Sequence, residues 1–275
     1  MELKLVDHLL YEPEDTGILW IKFNRPEKMN ANYGGTGPDS TMRKLGEYMR
    51  AGDDDPDIRV IVLTGVGRGF NSGAELGAAA RDGEPARAPG ADSSREHFQH
   101  DFHPLFTAIS DIRKPTIAMV NGPAVGAGFD IAIHCDIRMG CEHARFQPYQ
   151  ALGQIIENGG SYFMPRIMGI GRALEFLYTS GFLQAEEAYR TGVLNHLVPC
   201  DNLEQETKAL CDRIIQNPPL VQWIGKRILR ASLESSYDTV QQLCANASGI
   251  LGASEDRLEM MKAVREKRKP VFKGR

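Results

Sequence analysis

The 275-residue sequence is short of several features that would direct its reading elsewhere. No apolar run approaches the length a bilayer requires, so a membrane role is not expected. The N-terminal MELKLVDHLLYEPEDTG carries several acids and no long apolar core, and reads as neither a signal nor a transit peptide. There is no excess of positive charge: 32 Lys and Arg stand against 36 Asp and Glu, for a formal net charge of −4, which argues against a nucleic-acid partner. A basic cluster at the C-terminus (Lys262, Arg265, Lys267, Arg268, Lys269, Lys273, Arg275) reads as a solvated helix end and tail. Only five cysteines occur (Cys135, Cys141, Cys200, Cys211, Cys244), an odd number with no C-x-x-C pair. Neither a disulfide framework nor a zinc site is therefore expected; buried thiols in a reducing, cytoplasmic setting are. No G-x-S-x-G elbow is present, which removes the usual serine-hydrolase signature.

What is present is an ordinary globular composition, 42% hydrophobic and 25% charged, in a chain long enough to bury a substantial core. Three short β-branched runs, 18–23, 60–64 and 116–120, end at Gly, Pro or Asn and read as strands; 137–141 is a weaker fourth. Residues 40–49 and 98–112 carry apolar residues at helical spacing. Strands alternating with helices predict an α/β layered core over residues 1–200. From about 201 to 275 the apolar spacing predicts four helices in succession, a packing or oligomerisation module. Residues 81–94 (RDGEPARAPGADSS) read as a mobile surface loop suited to a lid.

Two strands run into turns of small residues. One continues as Gly65 to Leu76, the other as Asn121 to Gly128 and on into a helix spanning 127–134. Small residues let a ligand approach the backbone, and the first N–H groups of a helix have no internal partner and lie at its positive end. A donor there, paired with one from the other turn, can form an oxyanion hole. A dinucleotide site is disfavoured: the third glycine of a G-x-G-x-x-G starting at Gly126 would fall on Ile131.

These residues resemble the enoyl-CoA hydratase/isomerase (crotonase) family. The resemblance rests on Asn24 to Ala31 (NRPEKMNA), Arg59 to Gly65, Gly69 to Leu76, Lys114 to Gly122, Gly126 to Ile137, Ala144 to Phe146, Ala185 to Val198 and Glu266 to Phe272, in order along nearly the whole chain. It implies a spiral of ββα units with a C-terminal helical region that mediates a homotrimer or a dimer of trimers. It implies an acyl-CoA thioester as partner, with no cofactor or metal beyond the CoA of the substrate. By position, the oxyanion donors are the N–H groups of Ala74 and Ala127. Lys28, Met29, Ala31 and Gly73 are expected near the CoA, and Phe272 and Lys273 over its nucleotide.

The departures from the family pattern bear on the chemistry. Hydratases of this family use two glutamates; here the first position holds Asp130 and the second Tyr149. A tyrosine, with an ordinary pKa near 10, is a poor general base at neutral pH but a possible donor. Glu157 follows in a region where some relatives place a catalytic acid, and burial would raise its pKa. His97, His100 and His103, spaced by three, are expected to face solvent rather than bind a metal; the resemblance implies that their region borders the active site, so one of them could reach it, ranked below Asp130 and Glu157. The expectation is an acyl-CoA enzyme favouring double-bond isomerisation or another enolate reaction over standard hydration. The alternative is a non-catalytic member that binds acyl-CoA.

Overall fold

The computed structural model describes residues 3–75, 90–148 and 153–275. In chain order the elements of the first part are β1 (Leu9–Pro13), β2 (Ile18–Phe23), α1 (Thr41–Asp54), β3 (Val60–Gly65), α2 (Ala91–His97), a π-helical turn over Phe98–Phe102, α3 (His103–Ser110), β4 (Thr116–Val120), β5 (Pro123–Val125), α4 (Ala127–His134), β6 (Ile137–Gly140) and β7 (Arg145–Gln147). There follow α5 (Gly160–Met168), α6 (Ile170–Thr179), β8 (Leu183–Gln184), α7 (Ala185–Arg190), β9 (His196–Leu197), α8 (Leu203–Ile215), α9 (Pro219–Ser232), α10 (Tyr237–Gly252) and α11 (Glu255–Glu266). The chain divides into two compact units. One comprises residues 1–112 and 116–207; the other comprises 113–115 and 208–275.

In the first unit one sheet has the order β1-β2-β3-β4-β6-β9 and a smaller one the order β5-β7-β8. The pairs β2–β3, β3–β4, β4–β6 and β6–β9 are parallel, while β1 adds to β2 antiparallel. All of β3 and β4 is buried, which explains their unbroken apolar sequences: parallel strands covered on both faces need no polar alternation. Leu19, Ile21 and Phe23 of β2, Ile61 and Leu63 of β3, and Ala118 and Val120 of β4 share one core cluster with Met42, Leu45, Tyr48 and Met49 of α1. Each fully buried large side chain contributes roughly 1.5–3 kcal/mol relative to exposure. Helix α1 starts at Ser40, whose hydroxyl accepts the Arg43 N–H. Gly52 lets it lie close on the sheet: a Cβ there would sit 2.3 Å from Leu19 Cδ2.

Three expectations change. Residues 91–94 are the start of α2 rather than loop, because Gly90 caps an uninterrupted helical run; 81–89 lie outside the described residues. Cys141 and Cys200 are joined in a disulfide, contrary to the expectation of free thiols. The β6–β9 register brings them together: Gly140 pairs with Leu197, so each cysteine leaves its strand at the same end of the pair. Sequence spacing alone does not reveal a pairing 59 residues apart. Cys135 and Cys211 are buried and outside the disulfide, as anticipated, but Cys244 is exposed.

In the second unit α10 and α11 begin at serine caps, Ser236 accepting the Thr239 N–H and Ser254 the Arg257 N–H. The tail folds back on α11. The Asp256 carboxylate accepts the N–H groups of Lys273 (2.6 Å) and Gly274 (3.0 Å), and Arg268 grips Glu259 with two nitrogens at 2.6 and 2.9 Å. That guanidinium holds the Glu259 carboxyl down at about 2. Among the described residues no helix is long and apolar enough to cross a membrane.

Candidate active site

The site grows from two glycine turns that lean on each other. After β3 the chain reaches Asn71, which is fully buried and bonded on every side. Its Nδ2 donates to Asn32 Oδ1 (2.8 Å), its Oδ1 accepts the Gly73 N–H (2.8 Å), and its carbonyl accepts the Val125 N–H of β5 (2.9 Å). Gly73, at φ +81°, then turns the chain into Ala74. In the parallel bridge between Asn32 and Ala74 the Asn32 N–H goes to the Gly73 carbonyl (2.7 Å), which leaves the Ala74 N–H on the opposite side.

The second turn follows β5. Gly126 sits at φ +54°, ψ −121°, which a side chain would strain, and its N–H is held by the Gln147 carbonyl (2.8 Å). Helix α4 begins at the next residue, Ala127. A Cβ on Gly128 would lie 2.0 Å from the Asn71 carbonyl oxygen, so glycine there is what allows the helix start to touch the first turn. Each alanine thus follows a glycine of positive φ, and neither the Ala74 nor the Ala127 N–H has an acceptor among the described residues. Both alanines line one cavity of about 460 Å³.

The same cavity is lined by Asp130 and Glu157, with Phe98, Phe102, Ile155 and Ile156 as apolar wall. Asp130 lies one helical turn beyond Ala127 and so shares its side of α4. Its carboxylate is almost wholly buried and accepts the Gly160 N–H at 3.0 Å. Burial raises its pKa to about 7; the negative charge of Glu157 adds to the rise, and hydrogen bonds from Gly160 and Asn158 oppose it. Glu157 is half-buried, and burial also pushes its carboxyl up. The segment bearing Glu157 is fastened to α4 a second time by His134, whose Nε2 lies 2.7 Å from the Asn158 carbonyl and whose Nδ1 lies 2.6 Å from Ser110 Oγ. The carbonyl can only accept, so Nε2 carries a proton.

A family model for enoyl-CoA hydratase/isomerase matches residues 13–275. The chain belongs to that family. It is 32% identical over 267 residues to a crotonyl-CoA hydratase of Syntrophomonas wolfei subsp. wolfei, covering 96% of each chain. It is 30% identical over 263 residues to a 1,2-epoxyphenylacetyl-CoA isomerase of Escherichia coli K12, covering 95% of this chain and 97% of the relative. The crystal structure of an enoyl-CoA hydratase from Bacillus anthracis superposes with a TM-score of 0.87 at 26% identity, over 98% of this chain and 100% of that one. The fold is therefore the crotonase fold, and the protein is an acyl-CoA enzyme of the enoyl-CoA hydratase/isomerase family.

Within that family frame, Ala74, Ala127, Asp130 and Glu157 come together at the cavity, while Tyr149 lies outside the described residues. Lys28, Met29 and Ala31 do not line the cavity; they belong to a turn packed against the segment Gly69 to Glu75. Asn30, at φ +59°, anchors that turn by accepting the Arg25 N–H (2.8 Å) and donating to the Gly69 carbonyl (2.7 Å). The Met29 carbonyl accepts the Ser72 N–H, and Lys28 lies 3.6 Å from Glu75. Phe272 and Lys273 are in the tail of the second unit. His97 is exposed as anticipated and also lines the cavity, with its Nδ1 2.7 Å from Asp101 Oδ2. The i,i+4 spacing of His97 and Asp101 on adjoining helical turns was the available signal. His100 and His103 are exposed as anticipated.

Proposed function

We propose that this enzyme holds the thioester carbonyl of an acyl-CoA between the N–H groups of Ala74 and Ala127 and stabilises the enolate that forms there. Asp130 and Glu157 move protons on and off that enolate, so double-bond isomerisation or a related enolate reaction is its chemistry rather than water addition by two glutamates. The observation that carries this reading is that both unpartnered alanines and both carboxyls of raised pKa line one cavity. Two preorganised donors aimed at a developing oxyanion each contribute about 3–4 kcal/mol to the transition state. A carboxyl whose pKa has risen to about 7 takes up and returns a proton with comparable ease near neutrality, which suits a shuttle within one substrate. Tyr149 serves as an orienting or donating hydroxyl. Lys28, Met29, Ala31 and Gly73 contact the CoA, and Phe272 and Lys273 close over its nucleotide; no other cofactor takes part.

The exposed Leu229, Ile250, Leu258, Met261 and Val264 of α9, α10 and α11 support assembly as a homotrimer or dimer of trimers, and we place the enzyme in the cytoplasm. Incubation with a panel of enoyl-, dienoyl- and β-ketoacyl-CoA esters tests the reaction. Proton relocation without water uptake is the expected outcome. Hydration as the main reaction would overturn the preference for isomerisation, and CoA affinity without turnover of any ester would favour the non-catalytic alternative.

A further inference from the structure

Away from the cavity, three side chains that the proposed chemistry does not use converge at the far end of β6. Cys141 follows β6 and is fully buried; Cys200 opens the 3-10 turn Cys200–Asn202 and is partly buried; His143 is exposed beside them. The two cysteines are joined in a disulfide, and His143 Nδ1 lies 3.3 Å from Cys200 Sγ. The three ligand atoms lie within 4.8 Å of one another, the one such His, Cys, Asp and Glu grouping among the described residues.

The surroundings fix this geometry. The β6–β9 pairing brings side by side the strand ends from which the chain leads to the two cysteines. The Cys200 N–H donates to Glu142 Oε2 at 3.0 Å, which locks the turn carrying Cys200 against the residue between Cys141 and His143. The imidazole, by contrast, is on the surface with a nitrogen turned to sulfur. Two thiolates and an imidazole suit thiophilic, four-coordinate divalent ions such as Zn²⁺, with one position left for water.

We propose that Cys141, His143 and Cys200 form a redox-gated metal site. In the disulfide state both sulfurs are spent on each other and no ion binds. A dithiol reductant converts the disulfide to two thiols and is itself oxidised to a disulfide, a two-electron exchange. The pair then binds one thiophilic divalent cation, releasing the two thiol protons to solvent, with His143 Nδ1 as third ligand. Either link closes the same loop, and that loop includes Gln154 to Asn158, the wall of the cavity that bears Glu157. The bare dithiol is the one state in which this loop is unlinked.

The test uses the full chain with Cys244→Ser, which removes the exposed free thiol. Protein reduced with a dithiol and freed of it is titrated with Co²⁺, whose thiolate charge-transfer band reports sulfur ligation. One equivalent per chain is expected after reduction and none before it. His143→Ala keeps both cysteines and alters only an exposed side chain, and is expected to weaken binding about tenfold or more. Melting should rank the disulfide and metal-loaded forms above the reduced form held in chelator. Absence of the thiolate band in reduced protein overturns the proposal, as does a band of equal affinity in His143→Ala or in Cys200→Ser.

Discussion

Gly128→Ala is the perturbation that bears most sharply on the two-turn construction. An added Cβ would lie 2.0 Å from the Asn71 carbonyl oxygen and 2.8 Å from its Oδ1. Carbon and oxygen in contact need about 3.3 Å, so roughly 1.3 Å of separation must come from somewhere. Neither side yields alone. Asn71 is held through its carbonyl by Val125 and through its side chain by Asn32 and Gly73, so moving it carries Gly73 and Ala74 along. Moving α4 carries Ala127. One donor leaves its place in either case. Misplacement of about 1 Å, or loss of one oxyanion donor, costs about 10²-fold in rate. The expected result is therefore a fall in kcat of about that size with KM little changed, because the donors act on charge that develops in the transition state. Steady-state kinetics on whichever ester the wild type turns over, with a melt to confirm folding, is the assay. Gly46→Ala is the control: its Cβ meets only Ala108 Cβ at 3.6 Å, and in mid-helix it should gain up to about 1 kcal/mol without touching activity. A folded Gly128→Ala enzyme with wild-type kcat would refute the reasoning.

Further outcomes follow from the carboxyls and the disulfide. With Asp130 at about 7 in the folded protein against an ordinary 3.8, the folded state binds the extra proton between those values, so stability falls as pH rises from about 4 to about 7, by up to about 4 kcal/mol. Asp130→Asn should flatten that stretch of the pH–stability curve, measured by denaturant titration; an unchanged slope would contradict the assignment. The same substitution should cut kcat by about 10²-fold or more and remove the limb of the rate profile near neutrality. Glu157→Gln should lower kcat by about 10²-fold, and full retention of turnover would remove it from the proton path. Cys200→Ser opens a loop of 59 residues and should cost up to about 4 kcal/mol of stability, read by chemical denaturation without reductant. A loss below about 1 kcal/mol would show that the crosslink adds little.

The legible parts of the fold are those whose signal is local. β2, β3 and β4 announce themselves because burial makes their runs unbroken, and α4 follows directly from the Gly126-Ala127 turn. β5, β8 and β9 are two or three residues long and owe their existence to neighbours far along the chain, so no period reveals them. The site divides in the same way. Asp130 is legible through the family resemblance, which aligns it with a catalytic glutamate; the helix then fixes its offset from Ala127. The contact of Gly128 with Asn71, the clasp of His134 on Asn158 and the meeting of Cys141 with Cys200 depend on tertiary register, and nothing within a few residues of any of them encodes it. His97 falls between: its partner Asp101 is one turn away, but its place at the cavity comes from the fold.

In the proposed site two main-chain N–H groups polarise one thioester carbonyl. Isotope-edited infrared difference spectroscopy of a bound acyl-CoA, ¹³C-labelled at that carbonyl and chosen not to turn over, measures this directly. The C=O stretch is expected at clearly lower frequency than for the same ester in water, with the shift reduced in Gly128→Ala. A bound carbonyl that vibrates at its aqueous frequency in the wild type would contradict it.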